Sequence, residues 1–95
     1  MNNPTPVRRF QLGSVVSTPG ALQLLSKHEV SAFALLALHQ SGQRGDVPPD
    51  DARANDQALI VGARVLSAYV VGRDRLWIIT EADRSVTTML LPEEY

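Results

Sequence analysis

The chain of 95 residues contains no cysteine. That excludes a disulfide framework, a thiol nucleophile and any Cys-based zinc site. It also fits a reducing compartment, so a cytoplasmic location is expected. An excess of one charge is missing too: nine basic and ten acidic residues give a formal net charge of −1. No global field then draws the chain onto DNA, RNA or anionic lipid, and neither nucleic acid nor membrane is an expected partner. No apolar run approaches the roughly 18–20 residues of a membrane span. Met1 to Pro6 lacks the charged-then-apolar pattern of a secretory signal. The two histidines, His28 and His39, stand eleven positions apart with no Asp cluster nearby. They make no recognisable ligand set, so no metal site and no cofactor are expected. The remainder, 44% hydrophobic and 20% charged, is the composition of one small globular domain. A chain of this size buries roughly 60–65% of its unfolded surface, enough for one core.

Residues 1–9, with two prolines, two asparagines and the pair Arg8-Arg9, read as a flexible arm, and 10–95 as a single α+β domain. Phe10 to Ser17 is a short apolar stretch broken by Gly13, compatible with an edge strand or an extended lead-in. Thr18 and Pro19 suit the N-cap and first position of a helix ending near Lys27-His28, with Ala21, Leu22 and Leu25 on one face. A second helix is expected from Ser31 to Gln40. Its stripe is Phe33, Leu36 and Ala37, widened by Leu35 and Leu38, and Gly42 stops it. After the loop Gln43 to Pro49, a third helix from Asp50 to about Val61 carries a thin apolar face suited to covering a sheet. The period then changes. Val65 to Val71, Leu76 to Ala82 and Val86 to Leu91 read as strands joined by short breaks at Gly72-Arg73-Asp74 and Asp83-Arg84. The expected architecture is two to three N-terminal helices packed on a C-terminal three-stranded antiparallel meander, with room for one extra N-terminal edge strand.

The stretch Leu76-Trp77-Ile78-Ile79-Thr80-Glu81-Ala82-Asp83-Arg84-Ser85-Val86-Thr87-Thr88-Met89-Leu90-Leu91-Pro92-Glu93-Glu94-Tyr95 resembles the C-terminal signature of a family of small uncharacterised proteins from plasmids, phages and other mobile elements. Some members are labelled plasmid-related protein, others type I restriction endonuclease subunit M. The likeness continues through Gly62 to Tyr69, Asn55 to Leu59, His39 with Gly42, Gly45-Asp46, and Leu12-Gly13 with Ser17 to Leu22. The family pattern has Arg before the His and Trp in the glycine loop, where this chain has Leu38 and Arg44. The resemblance implies a shape and a mobile-element setting, and it brings no catalytic residues. The methyltransferase label finds no support here, because a glycine-rich first turn on a parallel cofactor-binding sheet is missing.

Several polar groups are candidates for a site. Glu81, Asp83, Arg84 and Ser85 crowd one hairpin end, where an Arg flanked by carboxylates could orient a phosphate or a basic partner. The same residues also make an ordinary Asp-containing turn. Trp77, with Ile79, Met89 and Leu91 expected on its face, is either core or an apolar patch for a partner. Tyr69 shares a face with Ser67. His39, near a helix end, suits either general acid/base work or a cap on the last carbonyls. His28 reads as a surface residue. In general layout the sheet is similar to those of small metal-independent ribonucleases of the barnase and RelE-like kind. There a base such as Glu81 or His39 and a guanidinium such as Arg64 or Arg84 would serve phosphate chemistry. The favoured reading is a small accessory protein that binds a protein partner or itself. The alternatives are that ribonuclease and a structural homodimer module.

Overall fold

The computed structural model describes residues 10–43, 45 and 63–95. The arm expected over 1–9 and the third helix expected from Asp50 lie outside the described residues. Strand β1 (Ser14–Ser17) leads into helices α1 (Pro19–Lys27) and α2 (Ala32–Ser41). Strands β2 (Val65–Val71), β3 (Asp74–Thr80) and β4 (Val86–Leu90) follow, then a 3-10 turn over Pro92–Glu94.

Local chemistry explains the helix ends. The Thr18 hydroxyl accepts the Ala21 N–H at 3.2 Å, and Pro19 stands where a missing N–H costs nothing. Ser31 caps α2 by accepting the Ala34 N–H at 3.3 Å, and Gly42 closes it in the left-handed conformation at φ 92°. The buried faces differ from expectation. On α1 the core residues are Ala21, Leu24 and Leu25, with Leu22 exposed. On α2 they are Leu35, Leu36 and His39, while Phe33 is 84% exposed. A helix that is apolar nearly all round cannot select a face by periodicity. The side that goes inward is the one placing His39 on the hydroxyls of the sheet.

The sheet has four strands in the order β1-β4-β3-β2. Strands β2, β3 and β4 form the expected antiparallel meander, joined at Gly72-Arg73 by a tight turn. The sheet is mixed, however, because β1 pairs in parallel with β4, from Ser14 opposite Val86 to Ser17 opposite Met89. The helices carry the chain from the β1 edge to the β2 edge, and the meander brings it back beside its start.

Register assigns two faces. Tyr69 and Val71 from β2, Leu76 and Ile78 from β3, and Met89 from β4 form one core with α1 and α2. Fully burying a Leu or Ile there contributes about 1.5–3 kcal/mol. The opposite face presents Leu66, Ala68, Val70, Trp77, Ile79, Thr88 and Leu90. Met89 lies opposite Ile78, so it belongs with the helices, and Leu90 is the partner of Trp77. The expected grouping of Trp77 with Met89 and Leu91 is off by one residue, and a slip of one moves a side chain to the other face.

The 3-10 turn is tied back to α1. Thr18 Oγ1 donates to Glu94 Oε1 at 2.5 Å and the Leu91 N–H to the same oxygen at 2.8 Å. The Thr18 hydroxyl first, then the Leu91 N–H, hold the Glu94 carboxyl below its ordinary value of 4.5. A pKa lowered by folding gives stability that is present above the unfolded value and lost as pH falls through the folded one. Glu94→Gln should therefore lower stability at pH 7, with the deficit vanishing in acid below the folded pKa. Denaturant titrations across pH 2–7 measure this, and a deficit that did not change with pH would remove the charge from the explanation.

Candidate functional site

The hairpin end is a closed local structure. The Glu81 N–H donates to Val86 O at 3.0 Å and the Arg84 N–H to Glu81 O at 2.9 Å. Asp83 Oδ1 accepts both the Ser85 hydroxyl, at 2.6 Å, and the Ser85 N–H, at 3.0 Å. Those two bonds, the hydroxyl first, keep the Asp83 carboxyl below the usual range. Arg84 has a positive φ of 60° and uses its guanidinium inward. Its Nη1 donates to Ala63 O at 2.5 Å and to Glu81 O at 3.1 Å, and the group lies 5.5 Å from the Phe10 ring centroid. These contacts pin the entry to β2 against the β3–β4 turn. Asp83, Arg84 and Ser85 are thus engaged in shaping the chain.

His39, in the last turn of α2, is fully buried. Its Nδ1 lies 2.5 Å from Ser67 Oγ and its Nε2 lies 2.9 Å from Thr80 Oγ1. Thr80 Oγ1 is 2.7 Å from Thr87 Oγ1, and Thr87 donates to Leu12 O at 2.8 Å. The last bond sets the direction of the rest. Thr87 has one hydroxyl proton and gives it to a carbonyl, so Thr80 donates to Thr87. Thr80 must then accept from His39 Nε2–H, and in the neutral imidazole Nδ1 accepts from Ser67. One ordered chain of bonds joins β2, α2, β3, β4 and the lead-in to β1. Phe10 packs edge-on against the His39 ring at 5.2 Å and is held by Gln40 Nε2 donating to its carbonyl at 3.0 Å. Tyr69, a candidate for binding, is also buried, with its hydroxyl donating to Gln43 O at 2.7 Å.

Among the described residues an open concave surface lies on the face away from α1 and α2. Arg64, Leu66, Trp77, Ile79 and Tyr95 line a groove of about 360 Å³. Leu66 and Ile79 are cross-strand partners and form its floor. Tyr95 meets Trp77 edge-on at 5.6 Å. Arg64 Nη2 donates to the Tyr95 hydroxyl at 2.7 Å, and its guanidinium lies 5.5 Å from the Tyr95 ring centroid. Arg64 is exposed and its guanidinium fork carries further N–H donors. An apolar floor, two aromatic walls and one cation at the rim are suited to an apolar group carrying a nearby acceptor.

The fold does not gather the four groups considered for nuclease chemistry. His39 is sealed on the helix-covered face with Phe10 between its ring and Arg84, while Arg64 stands on the opposite face beside Trp77. Glu81 is half-buried at the strand end. Trp77 and Arg64 do meet, through Tyr95. Sequence reasoning gave Leu66 no role and did not join Tyr95 to Trp77 and Arg64; the antiparallel register that sets Leu66 opposite Ile79 was the signal that could have found the first. Among the described residues no group of three His, Cys, Asp or Glu could hold a metal ion. None of the described helices is long and apolar enough to cross a membrane. Compared with models of protein families, with curated proteins and with solved structures, the chain matches none.

Proposed function

We propose that the chain works by binding a protein partner in the groove of Arg64, Leu66, Trp77, Ile79 and Tyr95. The observation that carries this reading is the pairing of the Trp77 wall with the Arg64 cation on an open surface. A partner segment would place an apolar side chain against Trp77 and Ile79 and a neighbouring carboxylate against Arg64. Catalysis is disfavoured because His39 is buried, Arg84 is engaged in structural bonds, and Arg64 stands on the opposite face of the sheet from His39. In the mobile-element setting that the C-terminal signature implies, the partner would be a host or element-encoded protein of a plasmid or defence system.

Peptide display against the purified chain tests the reading. Enriched peptides should combine a large apolar residue with an adjacent Asp or Glu. Trp77→Ala should weaken their binding by about 30-fold, the size of a buried aromatic anchor of about 2 kcal/mol. Arg64→Ala should act selectively on the acidic peptides. Peptides that bind Trp77→Ala as well as the parent chain would place the site elsewhere. Cleavage of labelled RNA in EDTA that disappears in Glu81→Gln would replace binding by catalysis.

A further inference from the structure

The two edges of the sheet are treated differently. At the β2 edge Gly45 forms a parallel bridge with Ala68, and Tyr69 is bonded to Gln43, so the chain itself lies along that edge. Among the described residues the β1 edge has no such cover. Ser14, Val15 and Val16 are exposed, Val15 by 43% and Val16 by 47%. Natural edge strands are commonly guarded by Lys, Pro, a bulge or an inward charge. Here no charged residue occurs from Phe10 to Ser26, and Pro19 lies beyond the strand.

The backbone groups on that edge can be identified. The Ser14 N–H donates to Ser85 O at 2.9 Å and the Thr18 N–H to Met89 O at 3.0 Å. Alternation along a strand then puts the Val16 N–H on the β4 side as well. The N–H and C=O groups of Val15 and Ser17 point outward. Gly13, at φ 66°, leaves the extended conformation and limits the usable edge to this segment.

We propose that β1 is a self-association edge, pairing antiparallel with β1 of a second copy about a two-fold axis. The occupant is a second copy because an antiparallel strand pair about a two-fold is self-complementary in length and in donors. The uncharged segment also brings no like charges together. The register follows from the outward groups. Val15 of each copy exchanges bonds with Ser17 of the other, and Val16 faces Val16 as a non-hydrogen-bonded pair with Cα atoms about 4.5 Å apart. The two four-stranded sheets become one continuous sheet. This proposal is independent of the groove, which lies on a face and uses none of these residues.

Charge-complement variants read by light scattering test it. The parent chain at about 100 µM should be dimeric. Val16→Lys and Val16→Glu, each placing like charges directly opposite across the pair, should be monomeric, and their equimolar mixture dimeric. The rescue separates a lost interface from a failure to fold. Because the chain has no cysteine, single-cysteine variants read the register. Val16→Cys should cross-link on oxidation, whereas two Val15→Cys sites lie beyond the roughly 7 Å that a disulfide tolerates. A monomeric parent chain, a dimer that survives Val16→Lys, or linkage through Val15→Cys but not Val16→Cys overturns the proposal.

Discussion

His39→Leu is expected to lower folding stability by about 2–4 kcal/mol, measured as a shift in the urea midpoint at constant slope. Leucine fills much of the imidazole volume, so the loss comes from polar groups left behind. Ser67 Oγ loses its acceptor and Thr80 Oγ1 its donor, both fully buried beneath the helices. A buried polar group without a partner costs about 1–3 kcal/mol. For a chain of this length, total stability is about 5–14 kcal/mol, so the variant stands close to unfolding. Adding Ser67→Ala to His39→Leu should return about 1 kcal/mol, because it deletes an orphaned hydroxyl. In the parent background the same Ser67→Ala should be destabilising. Additive losses in this double-mutant cycle would show that His39 matters for shape alone.

Gly13→Ala should cost about 3 kcal/mol or more in the same measurement, an effect large for one methyl group. Gly13 has a φ of 66°, where an L-residue pays for its Cβ, and the added carbon would collide with the backbone carbonyls of Arg84 and Ser85. Backbone on both sides cannot yield as a flexible side chain would. The chain must pass this point closely, because the Ser14 N–H bonds to Ser85 O and the Leu12 carbonyl takes the Thr87 proton. If Gly13→Ala left the midpoint within about 0.5 kcal/mol of the parent, the close passage at this position would be wrong.

Elements defined by neighbouring residues were legible from the sequence. Thr18-Pro19 and Ser31 announced two helix starts, Gly42 a stop, and the alternation around Gly72 a hairpin. Features that depend on distant partners were not. Nothing around Val15 says that it will lie beside Thr87 in parallel. No local pattern says that Phe33 will face solvent while His39 takes the core. His39 illustrates the physical reason: a histidine near a helix end satisfies the dipole rule, yet here two hydroxyls from the sheet, Ser67 and Thr80, offer it a stronger set of partners. The candidate site divided in the same way. Trp77 stood out as the sole tryptophan, and Arg64 was noted, but only the register and the position of Tyr95 bring them to one groove. Arg84, attractive as a cation among carboxylates, is used by the fold to hold Ala63.

The order of strands also has a kinetic side. The tight turn at Gly72-Arg73 closes the β2–β3 hairpin within a few residues, whereas Ser14 must find Val86, 72 positions away. Loop closure at that span costs ~3 kcal/mol more entropy than at the hairpin. The meander is therefore the natural nucleus, with β1 arriving after it. A late-docking strand leaves its mark on escape from the native state: Gly13→Ala should speed unfolding in stopped-flow traces and leave the folding limb nearly unchanged. Before β1 docks, Thr87 has no Leu12 carbonyl to receive its proton, and the bonds running through Thr80 to His39 have no fixed direction. The last strand to arrive is the one that orients the interior.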